Sequence, residues 1–161
     1  MRRLPCVSLL TPRRLDVAVK VRFFLHLHGG ADPEAERIYR WHIMQRSGGR
    51  MAEGLVTDGW KTNIGHWLKG AKELSDSMYR NGFLVQHALP IDSNGELLNG
   101  SHRLACAIAY NLPDVYIWEV DKEAWAPPWD YDWFIANKCP EVDLKRIVSD
   151  WENLRATKGN T

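Results

Sequence analysis

Gly100-Ser101-His102-Arg103 places a glycine, a hydroxyl, an imidazole and a guanidinium in succession at the expected start of a helix. Leu104, Ala105, Ala107, Ile108 and Ala109 form the apolar body of that helix from strong helix formers, and Ser101 is the expected N-cap. The first turn of a helix carries unpaired N–H groups and the positive end of the macrodipole. Gly100 allows a ligand close to the backbone, His102 supplies a titratable donor and Arg103 a permanent one. These parts suit an anion, and phosphate most naturally. The plainer reading is a capped helix with His102 and Arg103 at the surface. Ser101 and His102 are adjacent at a helix start and cannot form a nucleophile–base hydrogen bond with each other, which removes that pair as a hydrolase dyad.

The context of these four residues extends the comparison. A helix closed by Asn81-Gly82, a strand ending in Pro90-Ile91-Asp92, the Gly-Ser-His-Arg helix and a closing strand follow one another over residues 57–121. This order resembles the ParB/sulfiredoxin-like superfamily, whose sulfiredoxins carry Gly-Gly-Cys-His-Arg, whose free-serine kinases carry Asp-Gly-His-Thr-Arg and whose nuclease-like members carry Gly-x-x-Arg. The resemblance implies a nucleotide, ATP or a relative, with its phosphates at Asn99, Gly100, Ser101, His102 and Arg103, joined by Lys61 and Thr62 from the segment before the preceding helix. It also implies magnesium and a carboxylate near the transferring group. Asp92 is the candidate metal ligand and, with Glu53, the candidate catalytic acid. Two departures matter. Ser101 stands where sulfiredoxins have cysteine, so sulfinic-acid reduction is not expected. Asn99 stands where the serine kinases have an acid, so that carboxylate is missing.

Other groups have their own alternatives. Asp58, Glu96, Glu119 and Asp121 are carboxylates near the expected core, each explained equally by solvation. Arg37, Arg40, His42 and Arg46 on one helix suggest a second anionic subsite for an acidic substrate, or a charged outer face. Trp125, Trp129, Tyr131 and Trp133 alternate with Asp130 and Asp132, a pattern that holds sugars by stacking and hydroxyl acceptance, or that plugs the end of a sheet. Arg40, His42, Trp129 and Asp130 are the substrate-side candidates. His26 and His28 lack further residues at metal-ligand spacing.

The function classes then narrow to three. A nucleotide-dependent small-molecule phosphotransferase, acting on a hydroxyl of a sugar or amino-acid-like metabolite, is favoured. A ParB-like nucleic-acid-binding or nuclease module and a non-catalytic nucleotide-binding module remain as alternatives. A net charge of +1 supplies no global field toward nucleic acid or membrane. Three cysteines, Cys6, Cys106 and Cys139, are too scattered for a disulfide framework, which fits a reducing, cytoplasmic setting. No apolar run is long enough to span a bilayer.

The elements that must position these groups follow from pattern. At 161 residues the chain is expected to form one α/β (α+β) domain: a small mixed sheet with the Gly-Ser-His-Arg helix packed on it. The core is expected at residues 57–121, with helical extensions at 11–55 and 122–156. Residues 1–10 read as a weakly ordered arm. Thr11-Pro12 signals a helix start, followed by a helix over residues 17–27. Asp32-Pro33-Glu34 opens a helix that runs to Arg46. Helices over residues 66–80 and 140–156, a helical turn at 133–137, and strands over 83–92, 96–99 and 115–120 complete the pattern.

Overall fold

Burial on almost every side singles out one helix as the centre of the molecule. The computed structural model describes residues 1–48, 61–120 and 128–159. Within them β1 (Arg2–Pro5) and a 3-10 turn (Cys6–Leu9) lead into helix α1 (Asp16–Leu27), which buries Asp16 to Val21, Phe23 and Phe24. Helices α2 (Pro33–Gln45) and α3 (Ile64–Asn81), strand β2 (Leu89–Ile91), helix α4 (Ser101–Ala109), strand β3 (Asp114–Glu119) and helices α5 (Tyr131–Ala136) and α6 (Glu141–Gly159) follow. Helix α1 packs most extensively on α4, and also on α2, α3 and α6.

The sheet has the order β1-β3-β2. β2 runs parallel to β3, with Leu89 opposite Ile117, and β1 runs antiparallel to β3, with Arg2 opposite Ile117. A parallel pair needs a crossover, and α4 lies on it. The class is therefore mixed α and β, with a small mixed sheet and the Gly-Ser-His-Arg helix against it. One cluster of buried side chains runs from Cys6 to Ile147, so the residues expected as extensions share the core with the rest.

Local chemistry accounts for the boundaries. Asp32 accepts from the Ala35 N–H at 3.3 Å with Pro33 next to it, and Asn63 accepts from the His66 N–H at 3.1 Å. Gly82, with φ of 67°, closes α3 by donating to the Met78 carbonyl. Among the described residues no helix is long and apolar enough to cross a membrane.

Four expectations are corrected. Residues 1–10 are not a loose arm: β1 pairs along β3, Leu9 and Leu10 are buried, and the 3-10 turn packs on α4 and α6. Thr11-Pro12 does not start a helix; Thr11 Oγ1 donates to Glu96 at 2.7 Å, and α1 begins at Asp16. The strand expected over 83–92 shortens to Leu89–Ile91 behind a 3-10 turn, and the strand expected over 96–99 reduces to a single bridge between Ile91 and Leu97. Asp92 is the cause at that turn: its Oδ1 accepts from the N–H groups of Asn94 and Glu96, both at 2.9 Å.

The N-terminal segment is thus load-carrying core. Leu9→Ala is expected to lower the unfolding free energy by about 2–5 kcal/mol, measured by urea denaturation, whereas a free arm would give almost no change.

Candidate functional site

Gly100 sets the geometry of the site. It adopts a left-handed conformation with φ of 90° and forms the N-cap of α4 without a side-chain capping bond. A Cβ there would lie 2.5 Å from Leu89 Cδ2 and 2.8 Å from Arg103 Nη2. The expected cap, Ser101, is instead the first helical residue. With no capping side chain, the first N–H groups of α4 remain open toward a ligand.

The Ser101 hydroxyl turns inward onto a buried charge network. Arg14 Nε and Nη2 donate to the two carboxylate oxygens of Asp16 at 2.9 and 3.0 Å, and Arg14 Nη1 donates to the Leu97 carbonyl at 2.8 Å. Lys20 Nζ donates to Asp16 Oδ2 at 2.5 Å and lies 2.8 Å from Ser101 Oγ. Arg14, Asp16 and Lys20 are all 1% exposed or less. Burial would raise the Asp16 carboxyl, but Arg14 and Lys20 overcome it and hold that carboxyl well below the usual range. Burial, opposed by Asp16 and aided by the charges of Arg46 and Arg14, pulls the Lys20 amine down to about 7.

His102 sits beside this network. Its Nε2 shares a hydrogen bond of 2.9 Å with the Tyr39 hydroxyl, and its ring lies 5.4 Å from Trp67 and edge-on to Phe24. Burial, reinforced by Lys20, Arg46 and Lys61, drives its pKa well below 6.5, so it is neutral near pH 7. It is therefore a hydrogen-bonding group and not a cation there.

These groups border a cavity of about 520 Å³. Arg14, Arg46, Lys61 and Arg103 line it, together with Trp67, Trp129 and the start of α4. The Arg46 guanidinium lies 4.8 Å from the Trp67 ring and 4.6 Å from the Trp129 ring, which brackets it between two aromatic faces. Lys61 Nζ lies 4.2 Å from the Trp67 ring. Arg103 Nη1 donates to the carbonyls of His87 at 2.6 Å and Ala88 at 3.3 Å, so its charge meets neutral acceptors. Among the described residues no carboxylate lines the cavity.

Of the residues expected from sequence, Lys61, Asn99, Gly100, Ser101, His102, Arg103 and Trp129 meet at this cavity. Others do not line it. Thr62 Oγ1 shares a hydrogen bond with His66 Nδ1 at 3.2 Å. Asp92 holds its turn, Arg40 pairs with Glu36 at 3.2 Å on the outer face of α2, and Asp130 caps α5 through the Trp133 N–H at 2.9 Å. His42 is fully buried among Trp129, Trp133 and Phe134, and neither ring nitrogen has a hydrogen-bond partner among the described residues. Glu119 pairs with Arg2, and Arg37 with Glu34 and Asp143. Glu53, Asp58, Asp121 and Trp125 lie outside the described residues. Among the described residues no three His, Cys, Asp or Glu side chains form a metal-binding group.

The sequence reading missed Arg14, Asp16 and Lys20. A signal was present: Lys20 interrupts the run Val17-Ala18-Val19-Lys20-Val21 one helical turn after Asp16. No protein-family model, curated protein or solved structure matches the chain, so any reading of the site rests on its geometry.

Two outcomes follow. Asp16→Ala leaves Arg14 and Lys20 buried without their carboxylate and is expected to cost about 3–5 kcal/mol in chemical denaturation. His42 and His102 have folded pKa values below 6.5, so the unfolded chain takes up protons first as pH falls. The contribution of these two histidines is therefore full above about pH 6.5 and declines below it, and the urea midpoint is expected to be lower at pH 5.5 than at pH 7.5, with a smaller difference in His42→Phe.

Proposed function

We propose that this cavity holds the phosphates of a nucleotide such as ATP, and that the protein is a nucleotide-dependent phosphotransferase acting on a hydroxyl of a small sugar- or amino-acid-like metabolite. The observation that carries the reading is the convergence of an uncapped helix N-terminus with Arg14, Arg46, Lys61 and Arg103 on one concave cavity. Backbone N–H groups and guanidinium groups together recognise phosphate oxygens by direction as well as by charge. Trp67 and Trp129 add flat apolar surface for a base or a sugar ring. A volume of about 520 Å³ is in the range of small-molecule sites, and the cations face inward instead of lying along an outer surface, which favours a small ligand over a duplex. Motif order, with Gly100 to Arg103 opening α4 after β2, is the basis for relating the chain to the ParB/sulfiredoxin-like superfamily.

In this reading Arg103 and the N-terminus of α4 hold the phosphate to be transferred, and neutral His102 contributes a hydrogen bond. Magnesium would be supplied on the nucleotide's own phosphates and would neutralise part of their charge. None of Cys6, Cys106 and Cys139 is in a disulfide, which suits the reducing cytoplasm.

Calorimetric titration with ATP and with pyrophosphate tests the reading. Binding is expected, and Arg103→Ala and Lys61→Ala are each expected to weaken it by about 10-fold or more, because a charge-assisted hydrogen bond contributes about 1.5–3 kcal/mol. Absence of binding to both probes, or unchanged affinity in both variants, would contradict it.

A further inference from the structure

The contact between Lys20 and Ser101 goes beyond what neutralising Asp16 requires. Arg14 already engages both oxygens of Asp16, so the carboxylate is neutralised without a second cation. Burying Lys20 beside that pair costs free energy that a Met or Leu at the same place would not. The Ser101 hydroxyl is likewise free of capping duty, because Gly100 takes that position. Yet Lys20 Nζ and Ser101 Oγ lie 2.8 Å apart, at hydrogen-bond distance for a nucleophile and its base, and Ser101 borders the cavity.

We propose that Ser101 is a nucleophile with Lys20 as its general base, and that Ser101 takes a phosphoryl group from the ligand in the cavity to form a covalent phosphoserine intermediate. The proposal rests on the reading of the cavity as a phosphate site. Lys20, held on Asp16, is fixed in place and faces the charges of Arg14 and Arg46, with His102 and His42 as its titratable neighbours. Those cations and burial favour the neutral amine in the empty site. An anion in the cavity raises the amine's affinity for a proton, so in the donor complex the unprotonated base is populated only as pH rises, and the transfer speeds up with it.

The step balances as follows. Ser101 Oγ bonds to phosphorus while its proton passes to the Lys20 amine. The bridging P–O bond breaks, and the leaving oxygen departs with the electron pair, as a nucleoside diphosphate when the donor is a triphosphate. The first N–H groups of α4 and the Arg103 guanidinium hold the phosphoryl oxygens. In the return step a hydroxyl of the acceptor, or water, attacks the phosphoserine. Ser101 Oγ leaves with its electron pair and recovers the proton from Lys20, and the acceptor's proton passes to solvent.

The test incubates the full chain with ATP and magnesium and, separately, with p-nitrophenyl phosphate, quenches in acid and maps the adduct by mass spectrometry. A phosphoryl mass increase on the peptide containing Ser101 is expected, rising with pH through neutrality and absent in Ser101→Ala. Lys20→Met keeps the Arg14–Asp16 pair, and adduct formation in it is expected to slow by about 10²–10⁴-fold, the usual contribution of a general base. Pyrophosphate titration of the same samples separates the two claims. Binding without adduct from either donor overturns the covalent step and leaves the phosphate site standing. Loss of binding in the wild type overturns both. ATP turnover by Ser101→Ala at the wild-type rate also overturns the covalent step.

Discussion

Asp16 is a single carboxylate shared by two buried cations, and the arrangement of the molecule depends on it. A charge removed from water costs several kcal/mol, and only close, directed partners compensate. Arg14 meets both oxygens of Asp16 side by side, and its remaining nitrogen reaches the Leu97 carbonyl on the turn before α4. Lys20 reaches the same carboxylate and then Ser101 on α4. The network therefore ties the entry to α1, the body of α1 and the beginning of α4 at one point. Helix α1 packs most extensively on α4, the helix this tie reaches.

The same constraint makes the cavity electropositive. Arg14 and Lys20 have only one carboxylate between them, and Arg103 is held by carbonyls, so positive charge is left beside the open helix N-terminus. His102, kept neutral by burial, does not add to it. The site is thus charged through guanidinium groups, with the Lys20 amine, lowered to about 7, buried beside it. Under the proposed reading, a phosphate ligand would compensate the fixed charge and raise the proton affinity of the Lys20 amine.

Much of this was legible in the sequence. Asp32-Pro33 announced its helix because capping chemistry is local, and Gly100 to Arg103 announced the helix N-terminus for the same reason. The role of Ser101 was misread because Gly100 adopts a left-handed conformation and takes the cap itself, which rotates the hydroxyl inward. β1 was hidden because Arg2-Arg3-Leu4-Pro5 does not look like a strand; its partner β3 lies more than a hundred residues away, and pairing of that range leaves no local trace. Asp92 looked like a catalytic carboxylate by position, while its bonds to two backbone N–H groups make it a turn residue. Arg14 and Lys20 were overlooked because a cation in a helix ordinarily faces water. The tertiary contacts with Asp16, Leu97 and Ser101 show otherwise.

The most direct test of this account observes the Lys20 amine itself, by nitrogen-detected NMR of selectively labelled lysine across a pH series, with and without pyrophosphate. The account predicts that Lys20 titrates near neutrality in the empty protein and moves to higher pH when the anion is bound. A Lys20 that titrates with the ordinary surface lysines, unchanged by pyrophosphate, would contradict it.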